Sequence, residues 1–340
     1  NSLPCFGVRT GETRRIAQGS GPSRSCGTVP LRTGCTCSEK EPTVTDTETA
    51  PDTTVDICIC TFRRDSVTDA IRSAAAQTLA PRHLLRIIVA DNDEAPSALA
   101  RVKAVETAVP LHYIHAPARN ISLARNACLD AATADWIAFL DDDETAPPDW
   151  LSQLLACAAA QGADAVFGPS RALYPAGTPD WITANDFHSN LPQRRAGTVE
   201  TGHSCNVLMR RPPAGLRFDP ALGRSGGEDT DFFFRLHRMG RKLAICETAE
   251  VTEAVSPHRL SLRWLAERRL AEGQHYATSA RKPRPVLVAG SLAKAAVSAA
   301  CALPHATNRP KLAFWTLRAL FHLGVARGAI KPARRIAYGS

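Results

Sequence analysis

From about residue 55 the apolar and polar positions of this chain fall into a strand-then-helix rhythm. VDICICTF (55–62) alternates and is rich in β-branched residues, which predicts a strand. SVTDAIRSAAAQTL (66–79) carries apolar residues at helical spacing and opens at Asp65 or Ser66 as a cap. LLRIIVADND (84–93) predicts a second strand that ends in polar residues, followed by a helical pattern over 97–108 and a short strand at LHYIHA (111–116). Ser122 is placed to cap the helix LARNACLDAA (123–132), which leads into the strand WIAFLDDD. A helix over 148–160 and a short strand DAVFG (164–168) complete the series. Strands alternating with helices at this spacing predict an α/β fold, with a mostly parallel sheet covered on both faces. Ligands bind such sheets beyond the carboxyl ends of the strands.

The rhythm breaks after about residue 169. GHSCNVLMRR (202–211) predicts a strand with a polar approach, and GRSGGEDTDFFFRLHRMG (223–240) a glycine-rich turn feeding a helix. LAICETAEVTEAVSPHR (243–259) predicts one or two short strands ending at His258. Two apolar segments follow, at 286–303 and 312–330. The first carries Lys294 at its centre and the second has Arg and His interspersed, a mixture that suits helices lying in a membrane interface. Residues 1–54 are rich in Gly, Ser, Thr, Pro and Arg without periodicity, and predict a disordered or non-core extension.

Charge sharpens this division. Lys and Arg exceed Asp and Glu by 41 − 33, a net +8. Residues 255–340 hold fifteen Lys and Arg against Glu267 and Glu272, a net +13, so the preceding residues sum to −5. A mildly acidic body with a basic end predicts an anionic partner for that end, such as a membrane surface, nucleic acid or a phosphorylated lipid. The eleven cysteines lack the paired spacing of a structural zinc site, and Cys58 and Cys60 fall on one face of a strand as small apolar residues. An odd count without a disulfide framework, and no apolar leader near residue 1, point to the cytoplasm.

The candidate chemistry lies in the acids. Asp141, Asp142 and Asp143 end a strand pattern side by side, and three adjacent anions repel one another unless something positive binds. A hard divalent cation, Mg²⁺ or Mn²⁺, takes oxygen ligands of this kind and is often shared with phosphates. Thr61, Asp91 and Asp93 fall at neighbouring strand ends. Glu228, Asp229 and Asp231 occupy the first turn of a helix, where its dipole favours carboxylates.

In this order and spacing the segments VDICICTFRR, IIVADNDE, LARNACLDAATADWIAFLDDDE, GHSCNVLMRR, GGEDTDFFFRLHRMG and VSPHR resemble the inverting nucleotide-sugar glycosyltransferases of family 2, over about residues 54–265. The resemblance implies a GT-A fold with a Rossmann-like central sheet, here with a helical appendage at the C-terminus. It is closest in character to bacterial enzymes of exopolysaccharide or lipid-linked saccharide synthesis. It also implies roles. Asp91 would hydrogen-bond the nucleotide base, with Thr61, Arg63 and Asp93 lining the same pocket. Arg125 would lie near the nucleotide and offset diphosphate charge. Asp141 and Asp142 would approach the ribose or sugar. Asp143, Asp141 and His258 would hold the metal. Asp229 matches the catalytic base, with Glu228 orienting it or touching the acceptor. Gly202, His203 and Asn206 would form the floor between donor and acceptor.

The domains expected from this are a non-core extension over 1–54, a glycosyltransferase domain over 55–265 and a basic, apolar helical tail over 266–340. The expected reaction moves one sugar, most simply from a UDP-sugar, to a saccharide or polyprenyl-linked acceptor with inversion. The expected location is the inner face of the plasma membrane, with peripheral contact to anionic lipid and no nucleic acid. The apolar segments are too few for a processive synthase channel, and Arg263–Trp264 lacks the preceding glutamine of the synthase motif Gln-x-x-Arg-Trp. A sugar-1-phosphate nucleotidyltransferase is disfavoured because CTFRRDSVTD carries no glycine loop. A non-catalytic binder of anionic surfaces or nucleic acid accounts for the basic end but leaves the aspartates without purpose.

Overall fold

The computed structural model of the chain describes residues 53–80, 83–280 and 282–331. The expectations for 1–54 therefore lie almost wholly outside the described residues.

In chain order the elements are β1 (Thr54–Thr61), α1 (Val67–Ala75), β2 (Leu84–Asp91), α2 (Leu99–Lys103), β3 (Leu111–His115), α3 (Ile121–Ala131), β4 (Trp136–Asp141), β5 (Glu144–Thr145) and α4 (Trp150–Gln161). Then come β6 (Ala165–Phe167), β7 (Ser170–Leu173), α5 (Asp180–Thr183), β8 (Asn206–Arg210), α6 (Glu228–Arg238), β9 (Leu243–Ile245) and β10 (Val251–Ala254). A 3₁₀ turn, Pro257–Arg259, precedes α7 (Leu262–Ser279), α8 (Arg284–Ala302) and α9 (Arg309–Ile330).

Seven strands form the central sheet in the order β3-β2-β1-β4-β8-β6-β9. The pairs β1–β2, β1–β4, β2–β3 and β6–β9 are parallel, as the alternating rhythm predicts. β8 alone in this sheet runs antiparallel to both neighbours, β4 and β6. Its N-terminal end therefore reaches the edge where β1, β2 and β4 finish. The register places Thr61 beside Asp91, Cys60 beside Asp141 and Leu140 beside Asn206. A second sheet, β5-β10-β7, stands next to the end of β4 and brings Glu253 opposite Glu144.

Apolar clusters lie on both faces of the central sheet, as a parallel sheet flanked by helices requires. One holds Ile57, Ile59, Ile87, Trp150 and Leu154; the other Cys58, Cys60, Cys128, Phe139, Phe232 and Phe233. Cys58 and Cys60 thus behave as the small buried residues the alternation predicts, with Cys60 Sγ 3.9 Å from Cys128 Sγ.

Two expectations are corrected. The cap of α3 is Asn120, whose side chain accepts from the Leu123 N–H, while the Ser122 hydroxyl donates to the Asp219 carbonyl. The boundary expected at residue 265 falls inside α7, which runs unbroken from Leu262 to Ser279. Leu265 from α7, Leu317 from α9 and Ile182 from α5 share an apolar cluster with Trp181 packed against it, so the helical end is continuous with the body.

Candidate active site

Four strand ends and one helix start converge on the site. β1 delivers Thr61 and the two arginines after it. The chain leaves β1 through Arg63, which has a left-handed backbone (φ 55°). Its guanidinium bonds Asp93 at 2.8 Å and lies over the Phe62 ring at 5.1 Å. Arg63 beside Asp93 holds that carboxyl at about 2. Arg119, also left-handed (φ 44°), lies over the same ring at 5.9 Å. Two cations thus lie near one aromatic ring at a strand end.

Asp91 ends β2 beside Thr61. It is fully buried, and its carboxylate accepts from the Asp93 and Ala98 N–H groups and from the Tyr113 hydroxyl. These bonds fasten the β2–α2 loop, and the buried Asp93 beside it is covered by the half-exposed Arg63. Thr61 is fully buried at the end of β1, and its hydroxyl has no hydrogen-bond partner among the described residues.

β4 ends at Asp141, and Asp142 and Asp143 follow in a tight turn before β5. Arg64 pairs with both Asp142 (3.2 Å) and Asp143. Burial pushes the Asp142 carboxyl up to about 7, only partly offset by Arg64. Glu144 is buried, accepts from the Asp141 N–H, and is pushed well above the carboxylate range by burial and then by Asp141. From the other side Arg259 pairs with Glu253 and lies 3.7 Å from Asp143. The segment VSPHR thus brings Arg259, not His258, to the aspartates. His258, next to it in the 3₁₀ turn, is exposed.

Across the site, Gly226 (φ 87°) and Gly227 (φ 91°) turn the chain so that α6 begins at Glu228. These are backbone angles that only glycine adopts without strain. Arg125 of α3 is buried and spans the two acidic groups, 2.5 Å from Glu228 and 3.9 Å from Asp141. Burial opposes its charge, but Glu228, Asp141 and Asp229 outweigh that and keep it protonated. The second Glu228 oxygen, Oε2, is buried without a hydrogen-bond partner.

His203 Nδ1 lies 3.1 Å from Asp229 Oδ2. Asp229 Oδ1 accepts from the Thr230 N–H at 2.6 Å. Burial works against the Asp229 charge, but the His203 imidazole, its hydrogen bond and Arg125 hold the carboxyl well below the usual range. His203 reaches this place because Gly202 lets the chain run against Phe167, where a methyl group would strike the ring. Asn206 is buried, accepts from the Trp150 indole and donates to the Pro169 and Ala249 carbonyls, which braces the start of β8.

The site so assembled has a donor half (Arg63, Asp93, Arg64, Asp141–Asp143) and an acceptor half (Glu228, Asp229, His203) joined by Arg125. Sequence reasoning missed Arg64, Glu144, Glu253 and Arg259. Arg64 had a signal in the paired arginines of TFRRD; the others depend on the β5–β10 pairing, which no local pattern reveals.

The family model for Glycosyl transferase family 2 matches residues 56–215. The chain is 44% identical over 299 residues to the succinoglycan biosynthesis protein ExoM of Rhizobium meliloti (strain 1021), covering 84% of this chain and 96% of that protein. It is 29% identical over 244 residues to a glucosyl-dolichyl phosphate glucuronosyltransferase of Haloferax volcanii, covering 64% of this chain and 75% of the other. Among solved structures, the mannosyltransferase PcManGT from Pyrobaculum calidifontis, in complex with GDP-Man and Mn²⁺, aligns with a TM-score of 0.56 at 18% identity over 81% of this chain and 86% of that one. That likeness concerns the fold.

Proposed function

This chain belongs to glycosyl transferase family 2, and from that premise we propose that it adds one sugar to a growing exopolysaccharide repeat. The donor is a nucleotide-diphosphate sugar, with UDP as the carrier, and the acceptor is a saccharide linked to a polyprenyl lipid. The observation that carries this reading is Arg125, which joins Asp141 to Glu228 and so sets a donor half and an acceptor half against each other.

The donor half fits a hard divalent cation by its chemistry. Asp141, Asp142, Asp143 and Glu144 offer oxygen ligands only, and their counter-charge among the described residues comes from arginines. No group of three His, Cys, Asp or Glu is already arranged around a cation position among the described residues. Asp141 and Asp143 are the residues that would hold the metal, Mg²⁺ or Mn²⁺. When bound, it supplies charge neutralisation for the departing diphosphate. The protein's own share begins with Arg63 and Arg119, which flank the nucleotide. Arg125 keeps a fixed positive charge between the halves. The Asp229–His203 pair receives the proton of the acceptor hydroxyl as its oxygen attacks the anomeric carbon from the side opposite the diphosphate. One displacement inverts that carbon.

The basic end serves the acceptor. Arg284–His305 is long and apolar enough to cross a membrane, yet only 28% of its apolar window is buried, and Lys294 interrupts it. Val286, Leu292, Val297 and Leu303 are exposed along it. No Asp or Glu follows Glu272, against eleven Lys and Arg. This composition favours a helix seated in the interface of an anionic bilayer, at the cytoplasmic face where lipid-linked acceptors are met.

A panel of UDP-, GDP- and dTDP-sugars with Mg²⁺ or Mn²⁺, read as nucleoside diphosphate released on adding polyprenyl-linked saccharides, tests the reading. Acceptor-dependent release from one donor is expected. Asp143→Ala is expected to weaken metal-dependent donor binding. Release with no acceptor dependence from any donor would sink the proposal.

A further inference from the structure

α7 runs past the acceptor half of the site. A methyl group on Gly226, in the turn that launches Glu228 and Asp229, would come within 3.2 Å of the His275 ring. One turn back along the helix, Glu272 lies close enough to His203 to act on its charge. Burial favours the neutral imidazole there, and Asp229, Glu228 and Glu272 together outweigh it. Arg268 lies a further turn back, and burial and then Arg268 hold the His275 pKa below its ordinary value, against Glu272. Positions 268, 272 and 275 share one face of a helix. That face is turned to the site, and it lies beyond the span 56–215 matched by the family model.

Glu272 is held in place. Its Oε1 accepts from Arg268 Nε at 2.9 Å, and its Oε2 from an Arg269 terminal nitrogen at 2.7 Å. Arg269 is fixed in turn, donating to the Phe187 carbonyl at 3.5 Å and lying over the Phe187 ring at 5.8 Å. An ionised carboxylate has about four acceptor positions, so two of those on Glu272 stay available. Arg268 spends Nε on Glu272, and its guanidinium tip stands on a side chain that is 61% exposed.

The same helix supplies its own comparison. Arg263 and Glu267 form an i,i+4 pair of the same kind on the other side of α7, with side chains 89% and 65% exposed. Glu272 is 32% exposed and linked to two arginines, so it is set into the wall where Glu267 stands in solvent. Neighbouring hydroxyls of a sugar each donate and accept, and a fixed carboxylate beside a guanidinium presents the matching acceptors and donors. An acidic sugar would instead meet Glu272, Glu228 and Asp229 as like charges.

We propose that Glu272 and Arg268 form the acceptor subsite, binding adjacent hydroxyls of a neutral terminal sugar while another of its hydroxyls meets the Asp229–His203 pair. This rests on the glycosyl-transfer reading above and makes α7 the element that selects the acceptor.

The test pairs binding without turnover with kinetics. Saturation-transfer NMR with methyl β-glucoside, methyl β-galactoside and methyl α-mannoside, in the presence of UDP and Mn²⁺, should show at least one bound by the parent. The signal should fall in Glu272→Gln and in Arg268→Gln, and persist in Arg263→Gln. Circular dichroism and the thermal midpoint verify the fold, and Arg268→Gln alters an exposed side chain. In transfer to the bound glycoside, both variants should raise the acceptor KM about 10- to 100-fold with the donor KM unchanged. Within a series of deoxy glycosides, the parent should lose a similar factor when one hydroxyl is removed. Glu272→Gln should lose nothing further from that removal, a pattern that a merely structural role of Glu272 does not produce. An unchanged acceptor KM in both variants would overturn the subsite with transfer intact. So would an equal loss in Arg263→Gln, or a parent that binds none of the glycosides. Binding that depends on Glu272, in a protein that releases no nucleoside diphosphate from any donor, would support the subsite and count against the transfer reading.

Discussion

Asp91 and Asp93 sit two positions apart at the end of β2, both buried, yet they take different partners: Asp93 pairs with Arg63, and Asp91 with the loop. The sequence places each at a ligand-binding edge because apolar strand residues stop there, but it does not reveal which way a carboxylate turns. Asp91 is captured by two backbone N–H groups and the Tyr113 hydroxyl, a loop-fastening role set by the path of the chain through Ala98. Asn206 is likewise taken up by Trp150 and two carbonyls, and Arg259, next to His258, lies beside Asp143. Arg125 lies between Asp141 and Glu228, and His203 is bonded to Asp229, so these residues of separate motifs lie near one another. Away from the site, Asp56 shows what a buried carboxylate contributes to stability. Burial raises its pKa, but a two-pronged bond to Arg86 and the Thr133 and Ala134 N–H groups together lower it below the model-peptide value. The folded state therefore binds this proton less tightly than the unfolded chain. Its stabilisation is complete above about pH 4 and is lost as the pH falls through the lowered folded value. Asp56→Asn is expected to cost about 3 kcal/mol at neutral pH and to flatten the acid limb of a urea-denaturation series. An unchanged acid limb would contradict this.

At the scale of elements, strand and helix order over 55–168 was readable because periods of 2 and 3.6 residues alternate there. The antiparallel direction of β8 was not, since a run such as CNVLMRR reads the same in either orientation; its direction is set by pairing with β4 and β6. α2 is five residues, shorter than the pattern over 97–108 implies. Within the helical end, α7 and α9 meet along glycines. A methyl group on Gly273 would run into the Phe321 carbonyl oxygen, and one on Gly324 into the Leu270 carbonyl oxygen. This close approach is invisible to hydropathy, because glycine in a helix otherwise reads as a weakness. Gly324→Ala gains helix propensity but must push the two backbones apart. We expect a net loss of about 1–3 kcal/mol, seen as a lowered thermal midpoint. A midpoint at or above that of the parent would show that the helices are not so closely joined.

For the molecule as a whole, the separation of charge ties the fold to its setting. An acidic body carries the sugar chemistry, and the basic end presents an exposed apolar helix. Its eight Lys and Arg among described residues 273–331 face no acid of their own segment. Flotation with vesicles of phosphatidylglycerol and phosphatidylcholine should recover the protein at low salt. Recovery should fall as salt rises or as the anionic lipid is removed. Val297→Glu, on the exposed side of α8, should abolish recovery without lowering the thermal midpoint. Equal recovery by the parent and Val297→Glu would exclude α8 as the contact.

The claim on which everything else rests is a single in-line displacement between the donor half and the acceptor half of one site. Proton NMR of the product formed from an α-linked nucleotide sugar reads this directly from the coupling at the new anomeric proton. The site described here predicts a β-linked product, formed only with acceptor present. An α-linked product, showing retention, would contradict it.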